Sequence, residues 1–147
     1  MMYHIIIDIY EDDTMKNEFI LTKNEIEIME VLWSENRPLS GTEIIELSPT
    51  RSWNESSIFI LTRSLLKKNA IEIDGFVRSQ TNYGRAFVPT LSADEYAIMQ
   101  INVSRKERNL SVTNLIFGII DTEEIDSAVI DELERLLKEK KRELEES

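Results

Sequence analysis

A mostly α-helical chain with one small β-hairpin is the fold class this sequence predicts, and three features predict it. Three capping boxes, Thr22-Lys23-Asn24-Glu25, Ser40-Gly41-Thr42-Glu43 and Ser92-Ala93-Asp94-Glu95, each precede apolar residues at helical spacing. Between residues 71 and 89 the apolar period drops from about 3.6 to 2, which marks extended chain. The last stretch, from Ile125 to about Leu144, sets Ile130, Leu133, Leu137 and Leu144 on one stripe among many charges.

Taken in order, Thr22 opens a helix carrying Ile26, Met29, Leu32 and Trp33, which Asn36-Arg37-Pro38 stops. Ser40 opens a second, with Ile44, Ile45 and Leu47, ending at Ser48-Pro49. Asn54 is an expected N-cap for a third helix, whose buried stripe is Ile58, Leu61, Leu65 and Leu66. Lys67 and Lys68 suit the negative end of its dipole, and Asn69 suits a left-handed terminator. Ile71-Glu72-Ile73 then alternates, Asp74-Gly75 reads as a turn, and Phe76-Val77-Arg78 resumes. After the polar Ser79–Gly84 stretch, Arg85-Ala86-Phe87-Val88 returns before Pro89. Three helices followed by a hairpin is the order of a winged helix-turn-helix, in which the third helix enters the major groove of DNA. Further helices are expected from Ser92, across Leu110–Ile120 and from Ile125 onward. The expected domains are an N-terminal extension over 1–20 with a short strand at Tyr3–Tyr10, a winged-helix domain over 21–91, and a helical dimerisation domain over 92–147. A helix apolar along one face at a chain end needs a cover, and the economical cover is the same segment of a second copy.

The 147 residues carry a formal charge of −11, which opposes binding to a polyanion. Its distribution matters more. Residues 1–20 hold five acids and one base, and residues 121–147 hold eleven acids and five bases. Residues 51–91 hold three acids against six bases: Arg51, Arg63, Lys67, Lys68, Arg78 and Arg85. The centre is therefore a modest basic footprint. With Ile58, Leu61 and Leu65 inward, the third helix presents Ser56, Ser57, Phe59, Ile60, Arg63 and Lys67 outward. Arg63 has the reach for guanine edges or phosphates, the serines for phosphates or bases, and Phe59 and Ile60 for thymine methyls. Arg78 and Arg85 bracket the hairpin and suit phosphates.

Other classes find less support. There is no cysteine, so disulfides and thiolate metal sites are excluded. The lone His4 has no companion ligand or nucleophile, the carboxylates sit among lysines and arginines, and no glycine-rich phosphate loop occurs. The expectation is a non-enzyme without metal or cofactor. No run approaches the ~20 apolar residues of a membrane span, and no signal peptide precedes Asp8, so a cytoplasmic location without membrane contact is expected. The main rival reading is a winged-helix protein-interaction module with weakened DNA binding, favoured by the overall acidity, Glu55 and the Phe59-Ile60 pair.

With these residues in view, the chain resembles the penicillinase-repressor (BlaI/MecI/CopY) family over roughly residues 20–140. The matching stretches are Leu21 to Trp33, Glu43-Ile44-Ile45, Trp53, Leu61 to Lys68, Phe87 to Tyr96 and Ile130 to Leu137. The resemblance implies a homodimeric repressor that binds double-stranded operator DNA with dyad symmetry, beside a resistance or homeostasis operon. Leu115, Ile116, Ile119, Ile130, Leu133 and Leu137 are then the expected dimerisation residues. Three departures accompany it. Ser56 and Phe59 stand where the family usually has a basic and a polar or basic residue. Gly118-Ile119 stands where a sensor protease cuts an Asn-Phe bond in antibiotic-responsive members, and the cysteine motif of copper-responsive members is missing. Neither induction route carries over, and a sensor or protease partner is not named by the sequence.

Overall fold

Helix α1, Lys23–Glu35, starts where the sequence places it. The Thr22 hydroxyl accepts the Glu25 N–H at 3.2 Å, and the Glu25 carboxylate accepts the Thr22 N–H at 2.8 Å. It ends on Asn36, in left-handed backbone with φ 54°, whose N–H donates to the Leu32 carbonyl. The computed structural model describes residues 18–79, 82–122 and 124–147, and the side chains of 77–79, 82 and 83 are outside the description. The strand expected at Tyr3–Tyr10 lies outside the described residues, as does His4.

After α1 come the two-residue strand β1, Leu39–Ser40, and helix α2, Gly41–Glu46, which the Ser40–Glu43 box caps. A Cβ on Gly41 would stand 3.4 Å from the Ile58 side chain, so α2 begins hard against the third helix. That helix differs from expectation at its entry. Asn54 is extended, but its side chain caps nothing; a 3-10 turn, Glu55–Ser57, leads into α3, Ile58–Lys67. The buried stripe of α3 is Ile58, Thr62 and Leu65, while Leu61 and Leu66 pack only partly buried at its margin. Thr62 can replace a hydrocarbon because its hydroxyl donates to the Ile58 carbonyl at 2.8 Å. Asn69, at φ 61°, ends the segment as anticipated.

Strands β2, Ile71–Ser79, and β3, Asn82–Pro89, pair antiparallel, and β1 pairs with the other edge of β3 through Leu39–Phe87 and Ser40–Ala86. The sheet order is β1-β3-β2, one strand more than the expected hairpin. The turn reading at Asp74-Gly75 is corrected. Ile73 faces Phe87 and Phe76 faces Arg85, so Asp74 and Gly75 together oppose Ala86 alone. This is a bulge inside β2, made by Gly75 at φ 82°, and Asn82–Gly84, within the polar stretch between the apolar runs, are strand. The pairing continues outward to Ser79 and Asn82.

Helix α4, Ala93–Glu107, starts on the Ser92–Glu95 box. Its first turns belong to the same core: the Tyr96 hydroxyl accepts the buried Leu21 N–H at 3.0 Å, and the Tyr96 ring lies against Phe19 and Trp33. Trp33 in turn donates its indole N–H to the Leu91 carbonyl at 2.8 Å. The core gathers Ile28, Met29, Leu32, Leu39, Ile44, Trp53, Ile58, Leu65, Ile71, Phe87 and Tyr96. Contacts divide the chain into two compact units after Val103, within α4, whereas the sequence suggests residue 91, where the capping box begins a new helix. The second unit holds α5, Val112–Thr122, and α6, Ser127–Glu146, the latter capped by Asp126.

One polar residue sits in the centre of the first unit. Glu25 is 1% exposed, and besides capping α1 it accepts from the Ser64 hydroxyl at 2.7 Å and the Lys68 ammonium at 2.6 Å. Lys68 also donates to the Ile20 carbonyl at 2.9 Å. Burial pushes the Glu25 pKa up, but Lys68, Ser64 and the Thr22 N–H together overcome it and hold it below the ordinary value. A carboxyl whose pKa is depressed by folding stabilises the fold above the unfolded value, about 4.3, and loses that contribution as pH falls through the folded value. Glu25→Gln should therefore cost about 2 kcal/mol at pH 7. Urea midpoints of the two proteins should converge as the pH is lowered below about 4; parallel curves down to pH 3 would refute the role of the carboxylate.

Candidate nucleic-acid interface

Along α3 and its entry turn, Ser56, Phe59, Ile60, Arg63 and Lys67 are exposed on one side, and Ser57 is half-buried at the margin. Their spacing, three or four residues apart from 56 through 59/60 and 63 to 67, makes a row down one helix face. Phe59 is 72% and Ile60 70% exposed, side by side at the middle of that row. Arg63 and Lys67 enter no ion pair among the described residues. The face is framed from behind by Ile58, Thr62 and Leu65 in the core, and at its C-terminal end by the Glu25–Ser64–Lys68 cluster.

Two basic residues that sequence groups with this face have other engagements. The Arg51 guanidinium donates to the carbonyls of Ser48 at 3.1 Å and Ile45 at 3.5 Å, and lies over the buried Trp53 ring at 5.4 Å. It closes the end of α2 and the loop that follows. Lys68 is held by Glu25 and the Ile20 carbonyl. Arg51 finds open carbonyls at the end of the neighbouring helix, where a cation is a natural partner, whereas Lys68 is drawn to a carboxylate and a carbonyl from the start of the first unit. Sequence gives no sign of this, because the partners Ile20 and Glu25 are far from Lys68 along the chain.

On the hairpin, Arg85 is exposed and its guanidinium lies 5.6 Å from the centre of the Phe87 ring, which fixes its direction. The side chain of Arg78 is outside the described ones. Phe76, opposite Arg85 in the pairing, is also exposed. The loop before α3 is tied to α1 by Ser52, whose N–H donates to Glu27 at 2.9 Å and whose hydroxyl bonds Glu27 and Asn24. Sequence reading passed over Ser52 and Glu27; a lone serine between Arg51 and Trp53 carries no periodic signal.

In the second unit no described residue is buried. Leu115, Ile120, Ile130, Leu133 and Leu136 are half-covered, while Ile116, Phe117, Ile119 and Leu137 are exposed. The opposite side of α6 carries Arg135 between Glu132 and Glu139, solvent-exposed pairs that contribute little to stability. Among the described residues, no helix is long and apolar enough to cross a membrane and no cluster of His, Asp or Glu could hold a metal ion.

Comparison with known proteins bears on this arrangement directly. The model of the penicillinase repressor family matches residues 21–139, which takes in α1 to α3, the hairpin and most of α6. The chain belongs to the penicillinase repressor family. The penicillinase repressor of Bacillus licheniformis is 25% identical over 120 residues, spanning 80% of this chain and 88% of that protein. Solved structures with some likeness include Staphylococcus aureus MarR in complex with salicylate and kanamycin, 12% identical over 99% of this chain and 91% of that one, with a TM-score of 0.38. The adhesin competence repressor of Streptococcus pyogenes is 14% identical over 99% of this chain and 98% of its own, with a TM-score of 0.36. The family is one of transcriptional repressors. Its matched region meets in space here: Trp33, near the end of its first stretch, packs against Tyr96, the end of the block after the hairpin.

Gly75 sets the direction of the outer hairpin, and its φ of 82° is one that other side chains adopt only with strain. Nothing stands within 4 Å of where its Cβ would be, so Gly75→Ala isolates that backbone cost. We expect a loss of about 1 kcal/mol, read as a lower thermal midpoint with an unchanged helical circular-dichroism spectrum. An unchanged midpoint would mean the bulge is not what holds the hairpin.

Proposed function

We propose that this protein is a dimeric repressor that reads a dyad operator through α3 and rests its hairpin on the DNA backbone. The observation that carries the reading is the exposed row of α3. An arginine, a lysine and a serine flank two apolar side chains on a helix whose other face is fully committed to the core. A helix of this kind has the dimensions of the major groove, and its polar groups match base edges and phosphates. Ser56, Ser57, Phe59, Ile60 and Arg63 are the reading residues, and Lys67, Arg78 and Arg85 bind phosphates. Arg51 and Lys68 act by holding the α3 framework.

The net charge of −11 is compatible with this because the acids concentrate outside residues 51–91. Two copies contributing Lys67, Arg78 and Arg85 would neutralise about six phosphates, giving a slope of roughly −5 in log affinity against log salt. The second unit supplies the pairing. A stretch with no buried residue among the described ones, carrying Ile116, Ile119, Ile130, Leu133 and Leu137 half-covered or exposed, is completed by the same surface of a second copy. Two α3 helices related by that two-fold axis would meet half-sites about one helical turn of DNA apart.

Arg63→Ala should weaken binding to the DNA upstream of the protein's own gene by about 10-fold or more in a gel-shift titration, with the dimer intact. Unchanged affinity would remove α3 from the interface. The double variant Leu133→Asp/Leu137→Asp should sediment near the 17.1 kDa chain mass where the unaltered protein runs at about twice that, and should bind the same DNA more weakly. A dimer that survives both substitutions would place the pairing surface elsewhere.

A further inference from the structure

Phe59 and Ile60 are unusual occupants of the middle of a solvent-facing row. Isolated apolar residues are common on protein surfaces, but two large ones side by side at 72% and 70% exposure, on the outward face of a short helix, form a patch that water penalises until something covers it. Neither contributes to the core, whose α3 contacts come from Ile58, Thr62, Leu65, Leu61 and Leu66. What surrounds the pair narrows the cover. Ser56 lies one turn before it, and Arg63 and Lys67 lie one and two turns after. An apolar protein groove would have to desolvate these cations; a DNA groove binds them and offers apolar ground between them in one form, the 5-methyl groups of thymine.

We infer that this protein specifies its operator by apolar contact with thymine methyls through Phe59 and Ile60, rather than by a hydrogen-bonding side chain at those positions. The inference rests on the DNA-reading face proposed above and adds its chemical preference. Phe and Ile have no hydrogen bond to give to guanine, adenine or cytosine edges, whereas either can bury a methyl group. The half-site therefore carries thymine at the base pairs under the centre of α3, and Arg63, one turn on, contacts a neighbouring guanine edge or phosphate. Cytosine at the same position would bring an unpaired amino group against the hydrocarbon, a desolvation cost that discriminates against it.

The experiment uses the full chain and a pool of randomised duplex DNA. The selected consensus is then resynthesised with each thymine replaced singly by deoxyuridine, which deletes the methyl and leaves base pairing unchanged. Binding should fall about fourfold at one or two central thymines per half-site, the worth of one buried methyl group, and nowhere else to that extent. Phe59→Ala and Ile60→Ala should bind the thymine sequence more weakly, and at least one of them should bind thymine and deoxyuridine duplexes alike. Both side chains are outside the core, and unchanged thermal midpoints will show that the variants are folded. A selected consensus that is bound tightly but is indifferent to methyl removal overturns the inference and leaves the DNA-reading face standing. If the pool yields no sequence preference at any salt concentration, both fail, and the pair faces a protein partner instead.

Discussion

The buried carboxylate of Glu25 is the contact on which the geometry of the first unit depends. One side chain closes the start of α1, takes the Ser64 hydroxyl from the middle of α3 and takes the Lys68 ammonium just past its end. A buried anion is costly unless each lone pair finds a donor, and two segments, the start of α1 and α3 with its C-cap, supply three donors here. The arrangement is demanding in return. If α3 slides or rotates, Ser64 and Lys68 leave the carboxylate, and a nearly water-free charge is stranded. Packing of Ile58, Thr62 and Leu65 resists such a movement, and the Glu25 contacts add directional bonds to that resistance. The outward row of α3 is thus aimed by a polar cluster on its inward side.

The same division of labour accounts for the basic residues of the centre. Of the arginines and lysines within residues 51–91, Arg51 and Lys68 bind carbonyl groups and a carboxylate of their own chain, while Arg63, Lys67 and Arg85 point to solvent. Charge counted along the sequence therefore overstates the basic surface. It also explains how an acidic protein keeps a locally positive face: Glu25 is inside and neutralised, and Glu43 is turned toward Arg37 at 2.8 Å.

Much of this fold was legible in the residues. The capping boxes at Thr22, Ser40 and Ser92 all form, Asn36 and Asn69 adopt left-handed backbone, and the helix order stands. Capping is local, so sequence states it without knowing the fold. The failures share a cause in long-range contacts. Asp74-Gly75 has the composition of a hairpin turn, and only its pairing with Ala86 makes it a bulge. Leu39–Ser40 is too short to alternate, and becomes a strand because the free edge of β3 lies beside it. Glu25 is buried against its polarity because Ser64 and Lys68, far along the chain, satisfy it, while Thr62 is satisfied within its own helix. For the site, the exposed face of α3 could be drawn from the 3.6-residue period alone, and Ser56, Phe59, Ile60, Arg63 and Lys67 do fall on it. The commitments of Arg51 and Lys68 could not be drawn, because those depend on carbonyls and a carboxylate brought beside them by folding, which periodicity does not see.

The lack of any buried residue among the described residues from 104 onward has a consequence for the life of the chain in a cell. A stretch with no interior opens at little free-energy cost, and opened amphipathic helix is what housekeeping proteases cut. A solitary copy would be trimmed there while the well-packed half survived, whereas a covered copy would last.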